Sequence, residues 1–339
     1  MRAKDRPLPE GPAVSAPALP PHEARDIEAR IQASLAHAHQ KKVVIATVLN
    51  PFALAIAEVR LLLRSLRRLG GRHAHTNTRV HTVGAAQPEL RAELEAFGVE
   101  VRACELFDGR CLTANKLGML EDIEDADYLL MLDNDVVIGG DITPHLVGES
   151  IALEPECVDH PGMERWKALF AGLKLDIPPA RMLTTIDSQE TIAYYNTGVI
   201  LVPRALVAPL RDAWGLAIRD VLDLCARVPL LAEVQPMADQ MALSVCLARR
   251  ALPRRSLPIA MNFHTRFAFH PAWEAETCRP VLLHHHHALT PDCTGLRASS
   301  HAVPNQVIGA VNDALGAGAQ RPAWPTGKTL RRRRRARVE

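Results

Sequence analysis

Two carboxylates stand two positions apart at the end of an apolar run. The stretch reads Tyr128-Leu129-Leu130-Met131-Leu132-Asp133-Asn134-Asp135, then Val136-Val137-Ile138 and Gly139-Gly140. An apolar run of this length, bounded by turn signals, reads as a buried strand. On a strand, residues i and i+2 face the same way. Asp133 and Asp135 therefore aim together past the strand's carboxyl end, where an open α/β sheet binds its ligands. Two ionised carboxylates side by side repel, and a divalent cation is the simplest group that relieves them. Asp and Asn also merely end strands and start turns. The apolar run before the pair favours the cation.

The elements that must position this pair lie on either side of it. Val43 to Leu49 is an apolar run that predicts a buried strand, ended by Asn50-Pro51. Phe52 to Leu69 predicts a helix closed by Gly70-Gly71. Arg79 to Val83 and Val99 to Cys104 predict strands, with a helix from Pro88 to Phe97 between them. Thr113 to Ile123 predicts a helix leading into the acidic strand, and Glu164 to Leu173 and Ala205 to Cys225 predict later ones. This β-α-β-α-β-α-β order predicts an α/β fold, a mostly parallel sheet flanked by helices. No G-x-G-x-x-G follows the first strand and no G-x-x-x-x-G-K-S/T occurs, so neither a dinucleotide fingerprint nor a P-loop is supported.

The acidic segment resembles the Asp-x-Asp segment of nucleotide-sugar glycosyltransferases of the GT-A fold. It is most similar to family 8, the retaining type related to glycogenin and bacterial galactosyltransferases. The resemblance spans roughly residues 43 to 290 and rests on segments in family order. Tyr194-Tyr195-Asn196-Thr197-Gly198-Val199 resembles a Phe-Asn-Ser/Ala-Gly-Val segment, and Asp239-Gln240 resembles an Asp-Gln segment. Leu257-Pro258 with Asn262 resembles a Leu-Pro…Asn segment, and Val281-Leu282-Leu283-His284 a late strand ending in a metal-binding His. It implies a single catalytic domain over 41–310, with a nucleotide-binding part (41–142) and an acceptor and catalytic part (143–310). It implies Mn2+ or Mg2+ held by Asp133, Asp135 and His284, and a nucleoside-diphosphate sugar, in class a UDP-sugar, as donor. Thr47, Val48, Asn50 and Phe52 would cradle the nucleoside, with Lys116, Asn134 and Gly198 also against the donor. Asn196, Asp239, Gln240 and Lys116 would carry the chemistry. His286, two positions past His284 in a run of four histidines, is the second choice of ligand. Phe52 either stacks on a base or belongs to the core of its helix, and Lys116 either reaches the diphosphate or is solvated. The chain departs from the family in two places. The first loop lacks an Asp, and no Lys-Pro-Trp follows the late His; Arg297 is the candidate replacement for that Lys.

Composition narrows the alternatives. The chain has 339 residues, 47% hydrophobic and 4% aromatic, enough to bury a Leu-, Val- and Ala-rich core. Its net charge is +2, but Arg331 to Arg335 and Arg337 carry six positive charges, leaving about −4 for the rest. Seven cysteines without a C-x-x-C pair predict free thiols in a reducing cytoplasm. Residues 1–40 predict a disordered leader with a helix near its end, and 311–339 a basic disordered tail. No signal peptide is evident, and no run nears the ~18 apolar residues of a membrane span. The tail is either solvated or makes weak contact with an anionic membrane at its inner face; specific nucleic-acid binding is not expected. The expected activity is metal-dependent sugar transfer to a glycan, lipid or protein acceptor. Two other readings remain: a non-catalytic sugar-nucleotide-binding relative and a sugar-phosphate nucleotidyltransferase. The second lacks support, because Val48-Leu49-Asn50-Pro51 is not a Gly-rich basic loop.

Overall fold

The computed structural model describes residues 38–317. The rest of the leader and the Arg-rich stretch lie outside them; 38–40 form a helical turn, and 311–315, expected in the disordered tail, are instead the end of a helix whose apolar face is buried. β1 (Val43–Leu49) is buried along its whole length. Its side chains alternate between two packed layers. Val44, Ala46 and Val48 meet one hydrophobic cluster, and Val43 and Ile45 another. α1 (Ala53–Leu69) follows, with Leu62 and Leu66 on the second layer. It stops at Gly70, where a Cβ would lie 2.4 Å from the Leu66 carbonyl oxygen. β2 (Thr78–Val83), α2 (Pro88–Glu95), β3 (Glu100–Cys104) and β4 (Tyr128–Leu132) complete the first half. Within it β3, β2, β1 and β4 are all parallel.

Between β3 and β4 the expected helix is a 3-10 segment, Leu112–Met119. Thr113 and Asn115 explain the difference. Such side chains compete for hydrogen bonds and disfavour regular helix. Here both are drawn into tertiary bonds, Thr113 Oγ1 to Asp239 and Asn115 Nδ2 to Asn50 Oδ1.

In the large sheet, one strand of the second half reverses direction. β5 (Val136–Ile138), β6 (Ile151–Pro155), α3 (Gly162–Gly172), the short pair β7 (Met182–Leu183) and β8 (Glu190–Thr191), and β9 (Tyr195–Pro203) follow. β9 runs antiparallel between β4 and β6. Its first residues therefore sit at the carboxyl end of β4, beside the acidic pair. α4 (Arg204–Arg227), α5 (Pro229–Ala232) and α6 (Ala238–Arg250) follow, and α4 and α6 cover the first layer. β10 (Arg254–Ser256) closes the seven-stranded sheet, whose order is β10-β6-β9-β4-β1-β2-β3. A smaller sheet, β11 (Phe263–His264), β12 (Leu282–His284) and β5, pairs His284 with Val136. α7 (Ala302–Leu315) packs on α1. Among the described residues, no helix is long and apolar enough to cross a membrane.

Candidate active site

The site gathers at the carboxyl ends of β1 and β4. β4 stops at Leu132, the chain turns through Asp133-Asn134-Asp135, and β5 begins at once. The turn is pinned by backbone bonds. Asp133 N–H donates to the Gly198 carbonyl at 2.8 Å, and His285 N–H donates to the Asp135 carbonyl at 3.0 Å. Start of β9 and end of β12 thus grip the acidic turn from both sides.

Asp135 is buried and its Oδ1 lies 3.2 Å from His284 Nε2. The other nitrogen of His284 sits 3.0 Å from the Asn262 Oδ1. A proton on Nδ1 satisfies that bond and leaves Nε2 for Asp135 or a cation. Burial alone would raise the Asp135 carboxyl, but a protonated His284 beside it holds it well below the usual carboxylate range. Burial likewise depresses His284, and Asp135 more than reverses this, so its imidazole is raised. His286 stacks on His284 with ring centroids 3.9 Å apart. β12 has ended by then, and His286 and His287 adopt left-handed backbone, φ 45° and 63°. Such strain in non-glycine residues clusters at functional sites. The turn, not a continuing strand, brings His286 back to His284. Ligand atoms of Asp135, His284 and His286 lie within 4.8 Å of one another. One carboxylate and two imidazoles suit a divalent transition metal such as manganese, so the residues present fit the expected ion, with His286 added to the set.

Asp133 is turned to a different partner. Its Oδ1 lies 3.0 Å from Lys116 Nζ, and Lys116 also meets Asp239 Oδ2 at 3.3 Å. Lys116 is neither solvated nor on a regular helix; it is buried and also donates to Thr197 Oγ1 at 2.8 Å. Burial lowers its ammonium, but the two carboxylates more than compensate and raise it. Burial and Asp135 raise Asp133, against the pull of Lys116. Gly198 leaves room for His284: a Cβ there would fall 2.3 Å from His284 Cε1.

A second network joins Asn196, Asp239 and Gln240. Asn196 is buried. Its Oδ1 accepts from Gly198 N–H and from Asn262 Nδ2, and its Nδ2 donates to Glu156 Oε2 at 3.1 Å. Both lone pairs of that oxygen are spent inside the protein. Asn196 therefore holds the framework and has a single N–H left to offer. Asp239 accepts from Thr113 and Thr197 as well as facing Lys116. Gln240 donates to Glu156 at 2.6 Å and accepts from Tyr194 at 2.9 Å.

Glu156 is the residue that sequence reading missed. Its signal was present. Ile151-Ala152-Leu153 ends in Glu154-Pro155-Glu156, again two carboxylates two apart after an apolar strand. Pro155 and the irregular residues after it hid the pattern. Glu58 was also missed. It interrupts the apolar face of α1, is buried, and takes Asn134 Nδ2 at 2.8 Å and His287 Nδ1 at 2.5 Å.

The nucleoside-side residues divide. Thr47 and Val48 are buried in β1, Val48 within the first core layer, and Thr47 Oγ1 has no hydrogen-bond partner among the described residues. Asn50 is tied to Asn115. Phe52 is 56% exposed at the start of α1 and so is not a core residue. Arg297 is exposed, and its backbone N–H donates to the Ala288 carbonyl.

A family model for the Rhodobacterales glycosyltransferase domain matches residues 48–251, more than half of the chain. The chain belongs to that family. No curated protein matches its sequence. Among solved structures, an active-site mutant of LgtC shares 16% identity at a TM-score of 0.51, with 82% of this chain and 97% of that one covered. GlyE of Streptococcus pneumoniae shares 17% at 0.45, covering 85% of this chain. Mouse xyloside xylosyltransferase 1 shares 15% at 0.44, with 72% and 97% covered. The match takes in 66% of the GlyE chain's length. At these identities the likeness concerns the fold, which is GT-A-like as the Asp-x-Asp resemblance implied.

Proposed function

We propose that this glycosyltransferase-family chain moves a sugar from a nucleoside-diphosphate sugar, in class a UDP-sugar, to a glycan, lipid or protein acceptor, with retention of configuration. The observation that carries this is the convergence of Asp135, His284 and His286 within 4.8 Å at the sheet edge, next to the Asp133–Lys116–Asp239 chain of charges. Asp135, His284 and His286 would hold Mn2+ or Mg2+, with Asp133 beside them facing the donor. A bound divalent ion supplies Lewis-acid neutralisation of the diphosphate leaving group. Lys116, fixed between two carboxylates, adds a preorganised positive charge beneath the site and keeps Asp133 oriented. Glu156 fixes the side-chain amides of Asn196 and Gln240, so each presents its remaining N–H toward the sugar in a set direction. Phe52, exposed at the mouth of the first loop, offers a face to the base. Retention rests on the resemblance to family 8.

Calorimetric titration of UDP, with and without Mn2+, against wild type and Asp135→Ala tests the reading. Manganese-dependent binding that disappears in the variant is expected. Nucleotide binding that is indifferent to both metal and substitution would refute it. A non-catalytic binding relative is the second reading, kept open by the missing Lys-Pro-Trp segment after the late His. Sugar transfer or hydrolysis with UDP-sugars separates the two.

A further inference from the structure

A second set of ligand-type atoms lies against the first. Cys157, just past β6, His264, at the end of β11, and His286 offer a sulfur and two imidazole nitrogens, all within 4.8 Å of one another. Cys157 and His264 are buried. His264 Nδ1 and His286 Nε2 face each other at 2.6 Å. At that distance the two nitrogens share a proton, which a cation bound to both rings would replace. Glu154 stands beside them, fully buried, with its Oε2 3.4 Å from His264 Nε2. Among the described residues, neither carboxylate oxygen of Glu154 nor His264 Nε2 has a well-formed hydrogen bond. Burial, with Glu156 near it, pushes the Glu154 carboxyl well above the usual carboxylate range, and a cation beside it would bring it back down.

The ligand chemistry differs from that of the neighbouring set. Asp135, His284 and His286 pair an oxygen with two nitrogens. Here a thiol replaces the carboxylate, and sulfur with imidazole selects zinc-like ions over manganese or magnesium. We propose that Cys157, His264 and His286 bind a borderline-soft divalent cation of the zinc type, with Glu154 as the adjoining carboxylate that offsets its charge. Binding replaces the Cys157 thiol proton, which leaves to solvent, and the thiolate sulfur then bonds the ion. His286 stands in both sets; Cys157, His264 and Glu154 have no part in the sugar-transfer reading, so substitutions there and at Asp135 distinguish the two.

Cobalt(II) reports on such a site, because a thiolate bound to it absorbs by charge transfer in the near ultraviolet. The full chain, stripped of metal and titrated with Co2+, is expected to develop that band, and zinc to bleach it. Cys157→Ser is expected to abolish the band while circular dichroism stays that of wild type. Asp135→Ala is expected to retain it. A band that never forms, or one that survives Cys157→Ser, would overturn the proposal. Should Cys157→Ser fail to fold, X-ray absorption at the zinc edge of the wild-type protein decides. A sulfur neighbour together with imidazole nitrogens supports the site, and a shell of nitrogen and oxygen alone refutes it. Failure of Asp135→Ala to alter UDP binding would sink the transferase reading and leave the cobalt result as it is.

Discussion

Gly198 and Lys116 show how little freedom the site residues have. A methyl group at Gly198 would overlap the His284 ring. Gly198→Ala is therefore expected to cost about 1–3 kcal/mol of stability through overpacking. Manganese affinity should fall by more than that strain explains, read by denaturant titration alongside calorimetry. Lys116 lies between Asp133 and Asp239 with almost no exposure. Lys116→Met leaves both carboxylates facing each other without their cation, and a loss of about 3–5 kcal/mol is expected. The double variant Lys116→Met/Asp133→Asn should recover part of it, measured in the same urea series. His284 gives a pH dependence of definite sign. Its folded pKa is raised by Asp135, and an imidazole must lose its Nε2 proton to bind a metal. Apparent manganese affinity should thus weaken as pH falls through that raised value, which lies above the ordinary imidazole one. A flat profile from calorimetry would mean that His284 is not a ligand.

At the scale of elements, the start of α1 carries the clearest separation of binding from stability. Phe52 is mostly exposed there. Phe52→Ala should change stability by no more than about 0.5 kcal/mol. UDP binding should weaken by about 1–3 kcal/mol if the ring stacks on the base. Unchanged binding would leave the ring without that role. Much of this architecture was legible in the sequence. Val43 to Leu49, Tyr128 to Leu132 and the Asn196 strand are long apolar runs, and burial on both faces makes such runs plain. The 3-10 segment was not legible, because its conformation is set by bonds from Thr113 and Asn115 to residues 126 and 65 positions away. The direction of β9 was hidden for a related reason: hydrophobic pattern reports burial and is silent on which way a strand points. His286 shows the same limit at the site. Alternation correctly grouped it with His284, yet a left-handed turn and not a strand produces the contact. Glu156 was readable from Glu154-Pro155-Glu156 but masked by its proline.

For the whole molecule, the site draws on α1, the 3-10 segment, the β4–β5 turn, the end of β6, the start of β9, α6 and the end of β12. A ligand that binds this assembly binds only the folded chain. UDP with Mn2+ at 100 times its dissociation constant is expected to stabilise the wild type by about 2.7 kcal/mol. Thermal denaturation of Asp135→Ala should show no such gain, and an equal gain in both would place the binding elsewhere. The pairing of β5 with β12 has a consequence for synthesis. His284 meets Val136 across that small sheet, although about 150 residues separate them in the chain. A ribosome adds roughly 5–20 residues per second, so the acidic turn emerges on the order of ten to thirty seconds before the histidines that complete it. During that interval the nascent chain carries two adjacent carboxylates and no imidazole partner. Under the proposed function, nucleotide and metal capture would thereby be confined to chains whose translation has passed the histidine run.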